Sequence, residues 1–191
     1  MDRDAEIIVV SGLPRSGTSL MMQMLVAGGV QVVADGVRGP DADNPRGYFE
    51  LEMAKRIRSD TSWLPQMRGK AFKLVSQLLY QLPRTERYRI IFMQRNLNEV
   101  LISQEIMLRH RNAPVPPRDQ IKAAYTEHLK ALFTWMSTQA NMLVLTVNYN
   151  DLLDRSLVTA EQISVFLAGR AAVQAMTQVV EPALYRVRKR A

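Results

Sequence analysis

Between Ile7 and Leu25 the chain reads IIVVSGLPRSGTSLMMQML, and this stretch limits the folds open to everything after it. Ile7 to Val10 is a short β-branched run closed by Ser11 and Gly12, the pattern of a strand buried on both faces of a parallel sheet. A turn bounded by Gly12 and Gly17 follows at once. Thr18 to Val26 then carries apolar residues on every face, as a helix packed on a sheet does. Strand, turn and helix in that order form a phosphate-binding loop. The first N–H groups of the helix lack partners, and its dipole turns a positive end to an anion. The two glycines free the backbone to wrap that anion.

The loop spells G-x-x-x-x-G, but Thr18-Ser19 follow where a nucleotide triphosphatase carries Lys-Ser/Thr. The lysine that would reach the β- and γ-phosphates is missing, and the cation sits earlier, at Arg15. Pro14, Arg15, Ser16, Gly17, Thr18 and Ser19 are therefore the expected phosphate contacts. A second anion site is legible further on. Tyr88 to Met93, YRIIFM, reads as another buried strand; Arg95 stands at its end and Ser103 two turns into the next helix. Both can converge on one anion.

The remaining elements alternate. Val30 to Ala34 is a candidate strand, Asp35 to Gly47 a loop rich in Gly, Pro, Asp and Asn, and Tyr48 to Asp60 an amphipathic helix. Ala71 to Val75 is a short strand, followed by a short helix, Ser76 to Leu82, that Pro83 stops. Asn96 to Arg109 and Arg118 to Gln139 are helices, Met142 to Val147 a third core strand. Thr159-Ala160-Glu161-Gln162 reads as a capping box opening a helix to Ala168, with a last helix towards Glu181-Pro182. The expected architecture is α/β, three layers with a central parallel sheet flanked by helices, in a single domain spanning residues 1–191. In such sheets ligands sit at the carboxyl ends of the strands, so the residues after Val10, Val75, Met93 and Val147 should line one cleft.

At 191 residues a real core is affordable in area, since roughly 70% of the unfolded surface can be buried. The absence of cysteine excludes disulfide and zinc–thiolate chemistry. No apolar run approaches the ~20 residues of a membrane span. The opening MDRDAE is acidic, unlike a signal peptide, so the expected location is the cytoplasm. The net charge is +7, but Arg186, Arg188, Lys189 and Arg190 hold four of those charges at the C-terminus. No helix-turn-helix pattern or aromatic RNA signature accompanies them, which argues against a nucleic-acid partner. The tail is either a solvated segment or a phosphate contact.

PRSGTS, with its preceding strand, resembles the 5′-phosphosulfate loop of the sulfotransferases, in the Arg form of tyrosylprotein sulfotransferases and many bacterial members. Arg95 and Ser103 resemble the Arg and Ser of the R-N-P-x-x-V-x-x-S motif that binds the 3′-phosphate of the donor; Leu97 replaces the usual Pro. DNPRGYFE, Trp63 and KAFKLVSQLLYQLP are similar to a bacterial sulfotransferase-like group, over about Ile7 to Arg109. Tyr149-Asn150-Asp151-Leu152 looks like that family's Y-E-D-L. The resemblance implies a P-loop fold and 3′-phosphoadenosine 5′-phosphosulfate (PAPS) as co-substrate. It implies transfer of a sulfuryl group to a hydroxyl or amine on a small-molecule or protein acceptor, without a metal. The cytosolic enzymes' G-x-x-G-x-x-K element is absent, and the basic tail is its candidate replacement. A chain shorter than typical cytosolic enzymes leaves acceptor-covering segments reduced or supplied by a partner subunit, as in a homo-oligomer.

The same resemblance suggests the catalytic groups. Arg15 is the cation for charge building in transfer, and Lys73 stands where cytosolic sulfotransferases carry the Lys of K-T-H. Their His falls on Val75 here. His110 and His128 lie on helices away from the strand ends and read as surface residues. Two carboxylates remain as the base: Asp35, near where tyrosylprotein sulfotransferases place a Glu, and Glu50, at the end of DNPRGYFE, which is preferred. Burial that raised either pKa would suit the role. Met21, Met22, Met24, Met93 and Met107 are either a pliable lining or core. The alternatives are a catalytically idle nucleotide binder of this fold, or a P-loop kinase or triphosphatase. The last needs a Mg²⁺-binding Asp at a strand end, where Gln94 and Asn148 stand instead.

Overall fold

Four parallel strands in the order β2-β1-β3-β4 form the centre of the molecule, whose computed structural model describes residues 5–181. The strands are β1 (Glu6–Gly12), β2 (Ala71–Val75), β3 (Arg87–Gln94) and β4 (Met142–Asn148). The basic tail at 186–190 lies outside the described residues. Register aligns the strand ends: Gly12 is opposite Val75 on one side and Met93 on the other, and Met93 is opposite Val147. The residues that follow therefore leave the sheet at one level.

The two-residue alternation of β1 and β3 splits the core. Ile7, Val9, Ile90 and Phe92 face a layer containing Trp63, Leu64, Leu79, Leu132 and Met136. Ile8, Val10, Ile91 and Met93 face Met21, Met22, Met24, Leu25, Ile163 and Met176. Each side chain buried this way contributes about 1.5–3 kcal/mol relative to exposure. All of Ile7 to Val10 are fully buried, so β1 anchors the loop that follows it most firmly. Met21, Met22 and Met24 are core; of the five methionines in question, only Met107 reaches the cleft described below.

Helices α1 (Thr18–Ala27), α2 (Glu52–Lys55), α3 (Leu97–His110), α4 (Arg118–Met136), α5 (Tyr149–Asp154), α6 (Ser156–Phe166) and α7 (Val173–Gln178) surround the sheet. Four expectations need correction. The strand expected at 30–34 is a single parallel bridge, Val32 beside Ala71. Its bonds are Val33 N–H to Ala71 O and Ala71 N–H to Gln31 O, both 2.8 Å. The helix expected from Tyr48 is one turn, because Gly47 and Phe49 adopt left-handed backbone and Leu51 is extended. Thr159 caps nothing. It is buried inside α6, where its N–H bonds to Arg155 O, and the helix starts at Ser156. Finally, β4 is an edge strand, with Leu143 and Val144 exposed, rather than a core one.

Candidate active site

Gly12 ends β1 and Thr18 starts α1, so the loop lies at the carboxyl edge of the sheet. The first closed bond of α1 runs from Met21 N–H to Gly17 O, which leaves the earlier amides for a ligand. Gly17 has φ of +98°, and a Cβ there would strike the Tyr149 ring. A Cβ on Gly12 would come within 2.6 Å of Met93 O. The backbone cradle thus requires both glycines. Arg15 itself takes a left-handed conformation at the crown, a strain of order 1–3 kcal/mol that the surrounding contacts hold.

Those contacts join the two predicted anion sites. Arg15 Nε donates to Ser103 Oγ at 2.9 Å, and Arg15 Nη2 donates to Asp43 O at 3.1 Å. Arg95 donates to Arg15 O at 3.2 Å and to the Glu99 carboxylate at 3.0 Å. Its guanidinium lies 4.7 Å from the centroid of the Tyr149 ring. Residues 80 and 88 positions apart in sequence share one network. Glu99 is buried, so Arg95 is already charge-compensated and an incoming phosphate must share it.

A cleft of about 340 Å³ opens here. The loop residues Pro14, Arg15, Gly17, Thr18 and Ser19 line it, with Arg38, Glu50, Lys73, Arg95, Ser103 and Tyr149. The strand ends converge as the parallel sheet requires. Ser16 departs from this group. Its N–H donates to Leu13 O and its Oγ is buried, lining a separate cavity behind the loop with Gln94 and Asn148.

The segment from Arg38 to Glu50 straps the cleft. Asn44 Nδ2 donates to Ser19 Oγ at 3.0 Å, Tyr48 Oη to Asp41 at 2.7 Å, and Ser19 Oγ to Tyr48 O at 3.4 Å. His110 Nδ1 sits 2.9 Å from an oxygen of Asp43, a cleft residue, and His128 Nε2 lies 2.9 Å from Ser76 Oγ, directly after β2. His110 is exposed, as the surface reading expects, and reaches the strap, whereas His128 is half-buried beside the end of β2, contrary to that reading. Neither lines the cleft.

The two carboxylates part company. Asp35 is exposed, accepts the Glu52 and Val37 N–H groups, and is absent from the cleft wall. Those backbone donors, Glu52 first, hold its pKa below the usual range. Asp35 thus ties the strap to the start of α2. Glu50 does line the cleft, 2.7 Å from Arg38, 3.1 Å from Lys55 and 4.0 Å from Lys73. Burial alone would raise its pKa, but the Lys55 hydrogen bond and the charges of Lys73 and Arg38 outweigh it and leave Glu50 below its ordinary value. The expected raised carboxylate is replaced by one ionised throughout the neutral range. Lys73 donates to Tyr48 O, and burial brings its pKa down to about 8.

Sequence reasoning missed Arg38, Asp43, Asn44, Arg46 and Tyr48 as cleft residues. Their signal was the loop itself: a Gly- and Pro-rich connection of that length in a compact domain is usually functional. Among the described residues, no group of three His, Asp or Glu side chains is placed to hold a metal ion. No described helix is long and apolar enough to cross a membrane.

Strand, glycine-bounded loop and helix, with Arg95 and Ser103 at the neighbouring strand end, define an α/β protein with a P-loop arrangement. Its fold is the P-loop sulfotransferase fold. Mouse sulfotransferase SULT7A1 complexed with PAP matches at a TM-score of 0.57 and 18% identity, over 94% of this chain and 64% of the mouse chain. A sulfotransferase from Alicyclobacillus acidocaldarius matches at a TM-score of 0.53 and 11% identity, over 94% of this chain and 87% of the bacterial one. No protein-family model and no curated protein sequence matches the chain significantly.

Proposed function

We propose that the protein is a sulfotransferase that moves a sulfuryl group from PAPS to a hydroxyl or amine acceptor. The observation that carries this reading is the Arg15–Ser103 contact. It joins the loop cation to the pair expected at a 3′-phosphate, within a cleft that also holds Lys73 and Glu50. ATP has no 3′-phosphate for such a pair. The glycine cradle and the open amides of α1 suit the 5′ group of the donor.

The donor supplies the sulfuryl group, whose S–O bond to the 5′-phosphate breaks as the acceptor oxygen or nitrogen bonds to sulfur. Arg15 presents a permanently charged fork to the oxygens that gain charge. Lys73, near pH 8 in its titration, keeps a proton at pH 7 and can hand it to the bridging oxygen. Glu50, ionised, takes the acceptor proton. Arg95 and Ser103 hold the far phosphate. Glu50's three cationic neighbours favour a second reading, an idle nucleotide binder, because they weaken it as a base.

The test is thermal unfolding with 3′,5′-adenosine bisphosphate, followed by acceptor screening with labelled donor. The bisphosphate should stabilise the protein without Mg²⁺, by about 2.7 kcal/mol at a hundredfold excess over Kd. Stabilisation by ATP with Mg²⁺ alone overturns the reading in favour of a kinase or triphosphatase. Binding without transfer to any acceptor leaves the idle binder.

A further inference from the structure

The donor groups described so far occupy the β1–β3 side of the cleft, where Arg15, Arg95 and Ser103 meet. The β2 side carries a separate set of charges, of which Lys73 and Glu50 have a part in the proposed transfer and Arg38 has none. Arg38 sits over the Tyr48 ring, its guanidinium carbon 3.3 Å from the centroid, and Nη1 donates to Glu50 at 2.7 Å. Arg38 Nη2 is covered and has no hydrogen-bond acceptor among the described residues. Lys73 enters the same wall from β2, with only 14% of its side chain exposed, and Lys55 flanks Glu50 from outside. Three cations thus approach Glu50, and Lys55 is shared with Glu52, which leaves the wall with one positive charge in excess. Arg38 lines the cleft with 29% of its side chain exposed, and the charge it presents there suits an oxygen anion.

We infer that this wall binds an anionic group, a carboxylate or its sulfate or phosphate equivalent, on the acceptor. The inference rests on the sulfotransferase reading and narrows it to hydroxyl or amine acceptors that carry a negative charge. Arg38 is then the specificity-determining residue. Tyr48 backs its guanidinium and Glu50 holds Nη1, while the part of the side chain open to the cleft pairs with the acceptor. The acceptor's O–H or N–H is left to face the donor sulfur. Transfer forms the new bond to sulfur, releases 3′,5′-adenosine bisphosphate and gives up one proton, so the anionic group of the acceptor takes no part in the bond changes.

The test uses three probes of one shape: 4-hydroxyphenylacetate, its methyl ester and tyramine, titrated calorimetrically into the full chain loaded with 3′,5′-adenosine bisphosphate. The acid should bind at least about tenfold tighter than the ester or the amine, the usual margin of one charge-assisted pair. Arg38→Ala should erase that margin while bisphosphate affinity stays within about twofold, and Arg38→Lys should restore part of it. If Arg38→Ala does not fold, Arg38→Gln, which keeps a donor for Glu50, serves in its place. An acid that binds no tighter than its ester, measurable or not, overturns the inference, as does a margin that survives in the Arg38 variant. In both cases intact bisphosphate binding leaves the sulfotransferase reading standing. A parent protein that does not bind the bisphosphate overturns both.

Discussion

Glu50 and Asp35 are the same chemistry in two settings, and their settings give them different work. Glu50→Gln should lower turnover by roughly 10²–10⁴ while donor binding persists, because its carboxylate faces the cleft and touches no predicted phosphate contact. Asp35→Asn should leave turnover near that of the parent. Steady-state rates with labelled donor read both, and full activity in Glu50→Gln removes it as the base. Lys73 adds a pH test. Its folded pKa of about 8 lies below the unfolded value near 10.5, so between these values the unfolded chain binds more protons. Stability therefore rises with pH across that window. Denaturant melts should show Lys73→Met more stable than the parent at pH 7, with the gap closing towards pH 10.5. Turnover in the parent should fall as pH passes about 8, and that limb should vanish in the variant. Arg95→Ala should shrink the preference for 3′-phosphorylated over unphosphorylated nucleotide by roughly 10- to 100-fold, the worth of a charge-assisted contact.

At the scale of the element, the short helix α5 sets the floor of the site. Asn148 ends β4 and its side chain accepts the N–H groups of Asn150 and Asp151, at 2.9 and 3.3 Å. That cap fixes where Tyr149 stands under Arg95 and against Gly17. Asn148→Ala should cost about 0.5–2 kcal/mol in urea unfolding and weaken bisphosphate binding as well, since Tyr149 loses its footing. Equal binding in the variant would mean that β4 and Arg95 position Tyr149 without the cap. The expected helix at Tyr48 failed at the same scale. Its amphipathic pattern was real, as Leu51, Ala54 and Ile57 are buried, but the turn at Gly47 to Phe49 spends the first residues on reaching the cleft.

For the whole molecule, β1 lies between β2 and β3, and the chain crosses over it on the way from one to the other. That reversal opens the crevice at the carboxyl ends, with donor contacts on one side and Arg38, Glu50 and Lys73 on the other. A ligand bridging the loop, α3 and α5 adds to the polar network that already joins them through Arg15, Arg95, Glu99 and Asn150. For a chain of this size, the stabilisation expected from the bisphosphate corresponds to a rise in Tm of roughly 5–11 °C. A shift that appears without Mg²⁺ and is lost in Arg95→Ala would tie it to the 3′ side.

Local pattern carried the strand–loop–helix unit, the parallel class of the sheet and the placing of Arg95 and Ser103 in one cleft, because each is written in residues within a few turns of one another. Buried β-branched runs and glycines at forced backbone angles leave few alternatives. The strap was different. Arg38 and Asp43 sit in a segment with no periodicity and Tyr48 at its end, and what holds them at the cleft is contact with residues distant in pattern: Asp43 with Arg15, Tyr48 with Ser19 and Asp41, and Arg38 with Glu50 and Tyr48. The charge state of Glu50 was equally beyond local pattern. Its carboxylate sits lower than burial alone would place it because Lys55, Lys73 and Arg38 converge on it from three separate segments, and electrostatics depend on distance in space rather than in sequence.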